Sequence, residues 1–308
     1  PSPAQVGTAT EWADVSPGDY RACALKTSGA LWCWGLNSDG QVGVSPIGTL
    51  VLPTQVDTTT DWASVAGGAY HTCARRKNGT LWCWGNNEMG SVGDGTGVRR
   101  PAPVQAGTLS GWGPLSAGDY HTCATRAGGT LWCWGADNTG QLGDGTTQNR
   151  LAPVQVPTPA DWRLVGPSDF ATCALRASGA LWCWGTNSEG QLGTGTGADA
   201  LSPVLADPGP WATLNGGWSH MCGVKVDGTL WCWGSNVYGQ LGDGTTSPRI
   251  VPTRIGTGTD WADVSGGDYH TCATRTNGSV WCWGQDTSGQ IGDGTFTNRT
   301  APFEVRLP

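Results

Sequence analysis

One segment recurs six times along this chain of 308 residues: a cysteine, nine further residues, and a second cysteine inside Leu-Trp-Cys-Trp-Gly or, once, Val-Trp-Cys-Trp-Gly. The second cysteines follow one another at intervals of 50, 50, 50, 49 and 50 residues, at Cys33, Cys83, Cys133, Cys183, Cys232 and Cys282. Such a fixed period indicates one supersecondary unit that is copied and packed against its copies. The repeat therefore determines the architecture, and any specific chemistry has to be sought where the copies differ.

Each copy contains a β-hairpin whose register can be predicted. In the second copy the turn is Lys77-Asn78-Gly79, and glycine in third position is typical of the left-handed residue that closes a three-residue hairpin loop. This loop places Cys73 opposite Cys83, and directly opposed β residues have Cα atoms about 4.5–5.5 Å apart, which suits a disulfide. We therefore predict one disulfide per copy: Cys23–Cys33, Cys73–Cys83, Cys123–Cys133, Cys173–Cys183, Cys222–Cys232 and Cys272–Cys282.

Two alternatives stay open for the cysteines, namely buried reduced thiols and zinc ligands. Zinc is disfavoured because no Cys-x-x-Cys spacing occurs and the second cysteines lie between tryptophans. Oxidised pairs predict an extracellular, periplasmic or cell-surface location. The sequence contains no run of about 18 apolar residues, so it predicts no membrane-spanning segment. The net charge of −7 disfavours nucleic acid as a partner.

Eighteen of the nineteen tryptophans occupy three repeating positions. In Leu81-Trp82-Cys83-Trp84 the alternation of a strand puts both tryptophans on one face and Leu81 with Cys83 on the other. Both faces are apolar, which predicts a strand covered on both sides, and we interpret the recurring tryptophans as core. Only Trp218 is out of phase.

Beyond the hairpin, each unit continues as Gly-x-Asn-x-x-Gly-Gln-Leu-Gly-Asp-Gly-Thr followed by Pro-x-x-Val, as in Gly140-Gln141-Leu142-Gly143-Asp144-Gly145-Thr146. Over essentially the whole chain this pattern resembles the repeat of the regulator-of-chromosome-condensation family. The resemblance implies a β-propeller of four-stranded blades. Members of the family serve as guanine nucleotide exchange factors, a plant UV-B photoreceptor and a secreted bacterial β-lactamase inhibitor. They act chiefly by binding proteins, so the fold alone does not select a function.

The predicted fold class is all-β, a β-propeller of six blades of about 50 residues with one disulfide each, which also suits the 50 glycines and 19 prolines. We expect a single domain over residues 1–308, built from repeats at 1–50, 51–100, 101–150, 151–200, 201–249 and 250–308. The chain has six tryptophan–cysteine units but seven Pro-x-x-Val-like elements, the first at Pro3. A closed six-bladed ring is therefore favoured, and an incomplete or seven-bladed ring is the alternative.

Three positions change together between the copies. Repeats 2, 3, 5 and 6 share a histidine, an aspartate and an arginine that repeats 1 and 4 lack. The residues are His71, His121, His220 and His270; Asp94, Asp144, Asp243 and Asp293; and Arg100, Arg150, Arg249 and Arg299. Duplication of a three-blade block, Asp–Arg pairs that order a loop, and an arginine patch for a partner or an anion are the possible explanations. A structural role is favoured for the histidines over a metal site.

Variable loops on a rigid repeat scaffold are the expected place for binding specificity. The candidate binding residues are Trp218, Tyr238, Met89, Arg99, Arg100, Arg150, Arg249 and Arg299. Trp218 is a candidate hot spot because it is a lone aromatic out of the repeating phase. Tyr20, Tyr70, Tyr120, Phe170 and Tyr269 recur regularly and are interpreted as structural caps.

The sequence contains no catalytic signature such as Gly-x-Ser-x-Gly, a phosphate-binding glycine loop or His-Glu-x-x-His. We expect a non-enzymatic, secreted or cell-surface propeller without a cofactor, which binds a protein partner through the variable loops of one face. An adhesin, a lectin-like glycan-binding protein or an extracellular structural module is one alternative. An intracellular exchange-factor-like regulator is another, disfavoured because the repeats are uniform in length and no blade carries a long insertion.

Overall fold

The computed structural model describes residues 2–306, which form strands, turns and loops. Every sheet consists of four strands that are consecutive in the chain, so each blade is one contiguous segment. Blades 1 to 3 contain β1 (Trp12–Gly18), β2 (Arg21–Lys26), β3 (Leu31–Gly35), β4 (Leu50–Gln55), β5 (Trp62–Gly67), β6 (His71–Arg76), β7 (Leu81–Gly85), β8 (Arg100–Gln105), β9 (Trp112–Ala117), β10 (His121–Arg126), β11 (Thr130–Gly135) and β12 (Arg150–Gln155). Blades 4 to 6 contain β13 (Trp162–Pro167), β14 (Ala171–Arg176), β15 (Leu181–Gly185), β16 (Ala200–Asp207), β17 (Trp211–Gly216), β18 (His220–Lys225), β19 (Leu230–Gly234), β20 (Arg249–Arg254), β21 (Trp261–Gly266), β22 (His270–Arg275), β23 (Val280–Gly284) and β24 (Arg299–Val305).

The structure is therefore an all-β, six-bladed propeller with one disulfide per blade, and the predicted fold class is confirmed. The seventh Pro-x-x-Val-like element, at Pro3, lies outside any strand. No helix in residues 2–306 is long and apolar enough to cross a membrane.

The chain divides into two compact units, one of residues 6–165 and one of residues 2–5 with 166–306. Blades 1 to 3 make up the first unit, blades 4 to 6 lie in the second, and the boundary falls within β13. The single domain expected over residues 1–308 stays a prediction.

The blades are shifted along the sequence relative to the predicted repeats. Strand β4 lies mostly beyond the expected boundary at residue 50, yet it pairs with β3 of the first blade through Trp32 and Gln55. The reason is that the long loop after β3 returns the chain to the same sheet. Each blade therefore starts at its first tryptophan, as at Trp12 and Trp62. Blades 1 to 5 end five to seven residues after the expected boundary, and blade 6 ends at Val305.

The hairpin register and the disulfides agree with the sequence prediction. Cys73 faces Cys83 across β6 and β7, and Gly79 closes the turn at a φ of 78°. All six predicted pairs are bonded, with Cα–Cα distances of 4.1 or 4.2 Å. The thiol and zinc alternatives are therefore wrong for this structure.

The core lies between neighbouring blades rather than inside one sheet. Trp62 and Trp84 of blade 2 pack with Leu31 and Val42 of blade 1, and both indole rings are almost completely buried. The Trp84 Nε1–H donates to the carbonyl oxygen of Gln41, 3.0 Å away. An indole thus fills the space between two blades and satisfies its one polar atom, which fits its role as a large buried residue. The same donation recurs at Trp134, Trp233 and Trp283.

Candidate functional site

Two ends can be distinguished in every blade. The end that carries the turn between the first two strands and the long loop between the last two is called the loop face here. In blade 2 these are the turn around Tyr70 and the loop of residues 86–99. Arg21 pairs with Gly35 across β2 and β3, which brings the corresponding turn and loop of blade 1 to the same end. Every candidate binding residue lies on the loop face of its blade.

The four arginines of the recurring set are bound to the four aspartates. In blade 2, Arg100 is the first residue of β8, and its Nε lies 2.5 Å from Asp94 Oδ2. The second carboxylate oxygen, Asp94 Oδ1, accepts hydrogen bonds from the amide and the hydroxyl of Thr96. Equivalent ion pairs join Asp144 to Arg150, Asp243 to Arg249 and Asp293 to Arg299. The pairs clamp the long loop onto the start of the outer strand.

These contacts favour the loop-ordering explanation over an arginine patch. Burial opposes ionisation of Asp94, yet the hydrogen bonds from Thr96 and Arg100 outweigh it and lower the pKa of that carboxyl. About a third of each arginine side chain is exposed. The guanidinium groups are therefore engaged within their own blade, and their direct binding of a partner stays a prediction.

The recurring histidines connect neighbouring blades. His71 Nε2 lies 2.7 Å from Thr122 Oγ1, and His220 Nε2 lies 2.9 Å from Thr271 Oγ1. Both imidazoles are fully buried. Burial, and after it the charges of Arg21 and His121, lowers the pKa of His71 to about 3. Burial, and after it His270, lowers the pKa of His220 to about 3. They are neutral at physiological pH and belong to the packing between blades. Among the described residues no group of three or more His, Cys, Asp or Glu could hold a metal ion.

Arg21 takes the histidine position in blade 1 and makes more contacts. Its Nε donates to Thr72 Oγ1 at 2.9 Å, and Nη1 donates to the carbonyl oxygens of Gly68 at 2.7 Å and Ala69 at 3.2 Å. A further hydrogen bond reaches the carbonyl of His71. The guanidinium is fully buried, and desolvation lowers its pKa to about 10. Arg21 is thus a buried cation held by backbone carbonyls of the next blade, and the carboxylate of Asp19 favours its charge.

Two blades carry aspartate where the other four carry asparagine. In blade 2, Asn87 Nδ2 donates to Asp94 Oδ1, Thr96 O and Val98 O at 3.0, 2.9 and 3.1 Å. In blade 3 the residue is Asp137, whose Oδ1 accepts from the amide of Leu142 as Asn87 Oδ1 does from Val92. Asp137 Oδ2 therefore lies at the position where Asn87 has Nδ2, a hydrogen-bond donor. Burial and the nearby Asp144 raise the pKa of Asp137 to about 6.

An exposed aromatic cluster lies on the loop faces of blades 5 and 6. Trp218 and Tyr238 each contact Tyr269 edge to face, with ring centroids 5.1 Å apart in both pairs. Trp218 is 41% exposed, and the adjacent Val237 is 58% exposed. These residues, Trp218, Tyr238, Tyr269 and Val237, are called the aromatic cluster below. The structure thus brings together two predicted binding residues that are 20 positions apart in the sequence.

The position of Trp218 explains this arrangement. Blade 2 has Ala69-Tyr70 after its paired glycines, whereas blade 5 has Trp218-Ser219. The aromatic ring has moved by one residue, and the Trp218 amide donates to the carbonyl of Asp268 in the next blade at 3.2 Å. The regular recurrence of Tyr269 predicts a structural cap, whereas the structure shows it as the centre of an exposed cluster. The one-residue offset of Trp218 was the only signal in the sequence.

Met89 and Arg99 lie elsewhere. Arg99 forms a 2.9 Å ion pair with Asp39 of blade 1, and the Met89 sulfur lies 3.1 Å from Asn149 Nδ2. Both belong to the unit of residues 6–165, whereas the aromatic cluster belongs to the other. In that first unit Tyr70 and Tyr120 stack at 5.2 Å. The predicted binding residues therefore fall into separate groups.

Comparisons with known proteins identify the repeat. The regulator of chromosome condensation (RCC1) repeat model matches residues 28–75, 78–125, 128–175, 227–274 and 277–308. A second model of the same repeat matches residues 12–41, 62–91, 168–191, 212–240 and 261–290. No curated protein sequence matches the chain at a significant level.

Several solved structures share the fold. Human WBSCR16 superposes with a TM-score of 0.89 at 19% identity, covering 100% of this chain and 85% of that one. Prp20p from Saccharomyces cerevisiae, whose structure was reported with its binding to Gsp1p and histones, superposes with a TM-score of 0.86 at 20% identity. The match covers 96% of this chain and 77% of that one. The ectodomain of the Arabidopsis thaliana receptor kinase ACR4 superposes with a TM-score of 0.55 at 21% identity, covering 96% of this chain and 82% of that one. At these identities the likeness concerns the fold.

Proposed function

The chain belongs to the regulator of chromosome condensation (RCC1) repeat family, and from this premise we propose that it is a non-enzymatic propeller that binds a protein partner. The partner contacts the loop faces of blades 5 and 6, with the aromatic cluster at the centre of the contact. The observation that carries this proposal is the exposed Trp218 packed on Tyr269. Tryptophan and tyrosine are the residue types that dominate the binding energy of protein interfaces.

Rigid positioning of the surrounding loops supports the proposal. Asp243 and Arg249 clamp the loop of blade 5, and Asp293 and Arg299 clamp that of blade 6. The disulfides Cys222–Cys232 and Cys272–Cys282 fix the hairpins beneath them. A surface that is ordered before binding loses little conformational entropy on association, which favours affinity.

We also propose that the protein works in an oxidising compartment, outside the cell, in the periplasm or on the cell surface. The six disulfides support this location, because such bonds persist chiefly where thiols are not kept reduced. The ectodomain of ACR4 is an example of a similar fold in an extracellular part of a receptor.

Two alternatives lead to different experiments. A lectin or adhesin would need a sugar site that is copied from blade to blade, but the loop of blade 5, with Tyr238, differs from that of blade 2, with Met89. An intracellular regulator would parallel Prp20p, whose reported partners are Gsp1p and histones. That alternative predicts activity with the cysteines reduced.

A direct test is selection of binders from a random peptide library with the oxidised protein, followed by titration in solution. We expect saturable one-to-one binding that is lost in Trp218→Ala and Tyr238→Ala. The matched control is Tyr20→Ala, which removes an exposed aromatic from the loop face of blade 1, outside the proposed contact. Peptides that bind the two cluster variants as tightly as the native protein would contradict the proposal. A multivalent response on a glycan array would favour the lectin alternative.

A further inference from the structure

The charge around the aromatic cluster indicates what kind of partner it accepts. Asp268 directly precedes Tyr269. The pKa of Tyr269 is raised. The largest cause is burial, and the next are the carboxylate of Asp268, the phenol of Tyr238 and the carboxylate of Asp169. Two carboxylates therefore act on the same phenol, and the faces of aromatic rings are themselves negative. The surroundings of the cluster favour a positive charge.

Other tryptophans of the same unit already hold a cation from their own chain. Lys225 Nζ lies 4.9 Å from the ring centroid of Trp211 and 4.4 Å from that of Trp231. Arg275 lies 4.5 and 4.6 Å from the rings of Trp261 and Trp281. These sites lie at the opposite end of the blades, near the hairpin turns.

The aromatic cluster differs from these sites. Within residues 2–306 no lysine or arginine lies over the rings of Trp218, Tyr238 or Tyr269. The cluster thus combines partly exposed ring faces and the adjacent carboxylate of Asp268, and among residues 2–306 no lysine or arginine lies over its rings. A cationic side chain over these rings would therefore come from another molecule.

We propose that the aromatic cluster binds an arginine or lysine side chain of the protein partner. This inference rests on the proposed function and specifies the partner's chemistry. The cationic side chain lies over Trp218 and Tyr269, and Asp268 supplies the opposite charge. A cation held over aromatic rings beside carboxylates combines two attractive terms that an apolar side chain would lack.

The test uses labelled glycine–serine peptides that differ only at their central residues, which are arginine, lysine, glutamate or leucine. Fluorescence anisotropy is measured at physiological salt with the oxidised native chain. We expect the arginine peptide to bind at least about tenfold more tightly than the leucine and glutamate peptides, a difference of about 1.4 kcal/mol. Trp218→Ala and Asp268→Asn should each remove most of that preference, and Tyr20→Ala on blade 1 should keep it.

The outcomes separate this inference from the proposed function. Equal binding of the arginine peptide to the native chain and to Trp218→Ala would show only general attraction to a chain of net charge −7, and would overturn the inference. Preference for the leucine peptide, lost in Trp218→Ala, would overturn the inference and leave the protein-binding function in place. Failure of selected library binders to depend on Trp218 would overturn both.

Discussion

Replacing Asp137 by asparagine should stabilise the protein at neutral pH. The substitution gives blade 3 the residue that blades 1, 2, 4 and 5 carry at Asn37, Asn87, Asn187 and Asn236. The new amide can donate to the loop oxygens of blade 3 as Asn87 donates to Thr96 O and Val98 O. In the native chain a carboxylate oxygen occupies that place. It accepts a hydrogen bond from the Thr146 hydroxyl at 3.3 Å and, when ionised, has no proton to offer the loop oxygens.

The magnitude follows from the pKa of Asp137. Its rise from 3.8 to about 6 means that the folded protein binds this proton more tightly than the unfolded chain does. Stability is therefore greatest below about pH 4, falls as the pH rises towards about 6, and is constant above that. The full shift corresponds to about 3 kcal/mol. Solvent screening under an exposed loop reduces this value, and we expect about 1–2 kcal/mol.

Urea unfolding of the oxidised protein, followed by tryptophan fluorescence at pH 7.5 and pH 4, measures the effect. Asp137→Asn should raise the free energy of unfolding by about 1–2 kcal/mol at pH 7.5 and by much less at pH 4. The matched control is Asn187→Asp in blade 4, which should lower stability at pH 7.5 and introduce a new pH dependence. An Asp137→Asn protein that is less stable than the native chain at pH 7.5, or whose gain is the same at both pH values, would refute the reasoning.

Three further predictions concern the disulfides, the buried Arg21 and the ion pair of Asp243 with Arg249. Alkylation of the unfolded protein should modify no thiol before reduction and twelve after it, as read by intact mass, and any thiol labelled without reductant would contradict the paired cysteines. Arg21→Leu removes the buried donor to the carbonyls of Gly68 and Ala69, while the His71 carbonyl keeps the Gly68 amide, so urea unfolding should show a loss of about 2–5 kcal/mol. A loss below about 1 kcal/mol would mean that water replaces the guanidinium. Arg249→Ala breaks a pair that is about one third exposed on the arginine side, so it should cost only about 0–1 kcal/mol while amide exchange accelerates in residues 243–249. A global loss of several kcal/mol there would show that the clamp holds more than its loop.

The features that could be predicted from the sequence are those that depend on local geometry. The Cys73–Cys83 pairing follows from one hairpin turn, and the turn is encoded within three residues. The Asp94–Arg100 pair could be anticipated because the two positions change together from copy to copy and lie six residues apart in one loop.

Contacts between blades were harder to anticipate. The burial of Arg21 depends on carbonyl groups that are almost 50 residues away and belong to the next blade. The aromatic cluster depends on where Tyr269 lies relative to Trp218, and periodicity alone suggested that Tyr269 resembles its counterparts. The Asp137 position was hidden for a different reason, since asparagine and aspartate both suit a turn and differ only in whether one atom can donate.

The location of the disulfides has a consequence for proteolysis. Each bond joins residues 10 positions apart within one hairpin, so none links one blade to another. A protease that cuts a connector between blades, such as residues 106–111, leaves fragments with no covalent bridge between them. The cut chain would migrate as two bands on a non-reducing denaturing gel, although every cystine in it is intact. Resistance to reduction and resistance to cleavage are therefore separate properties of this protein.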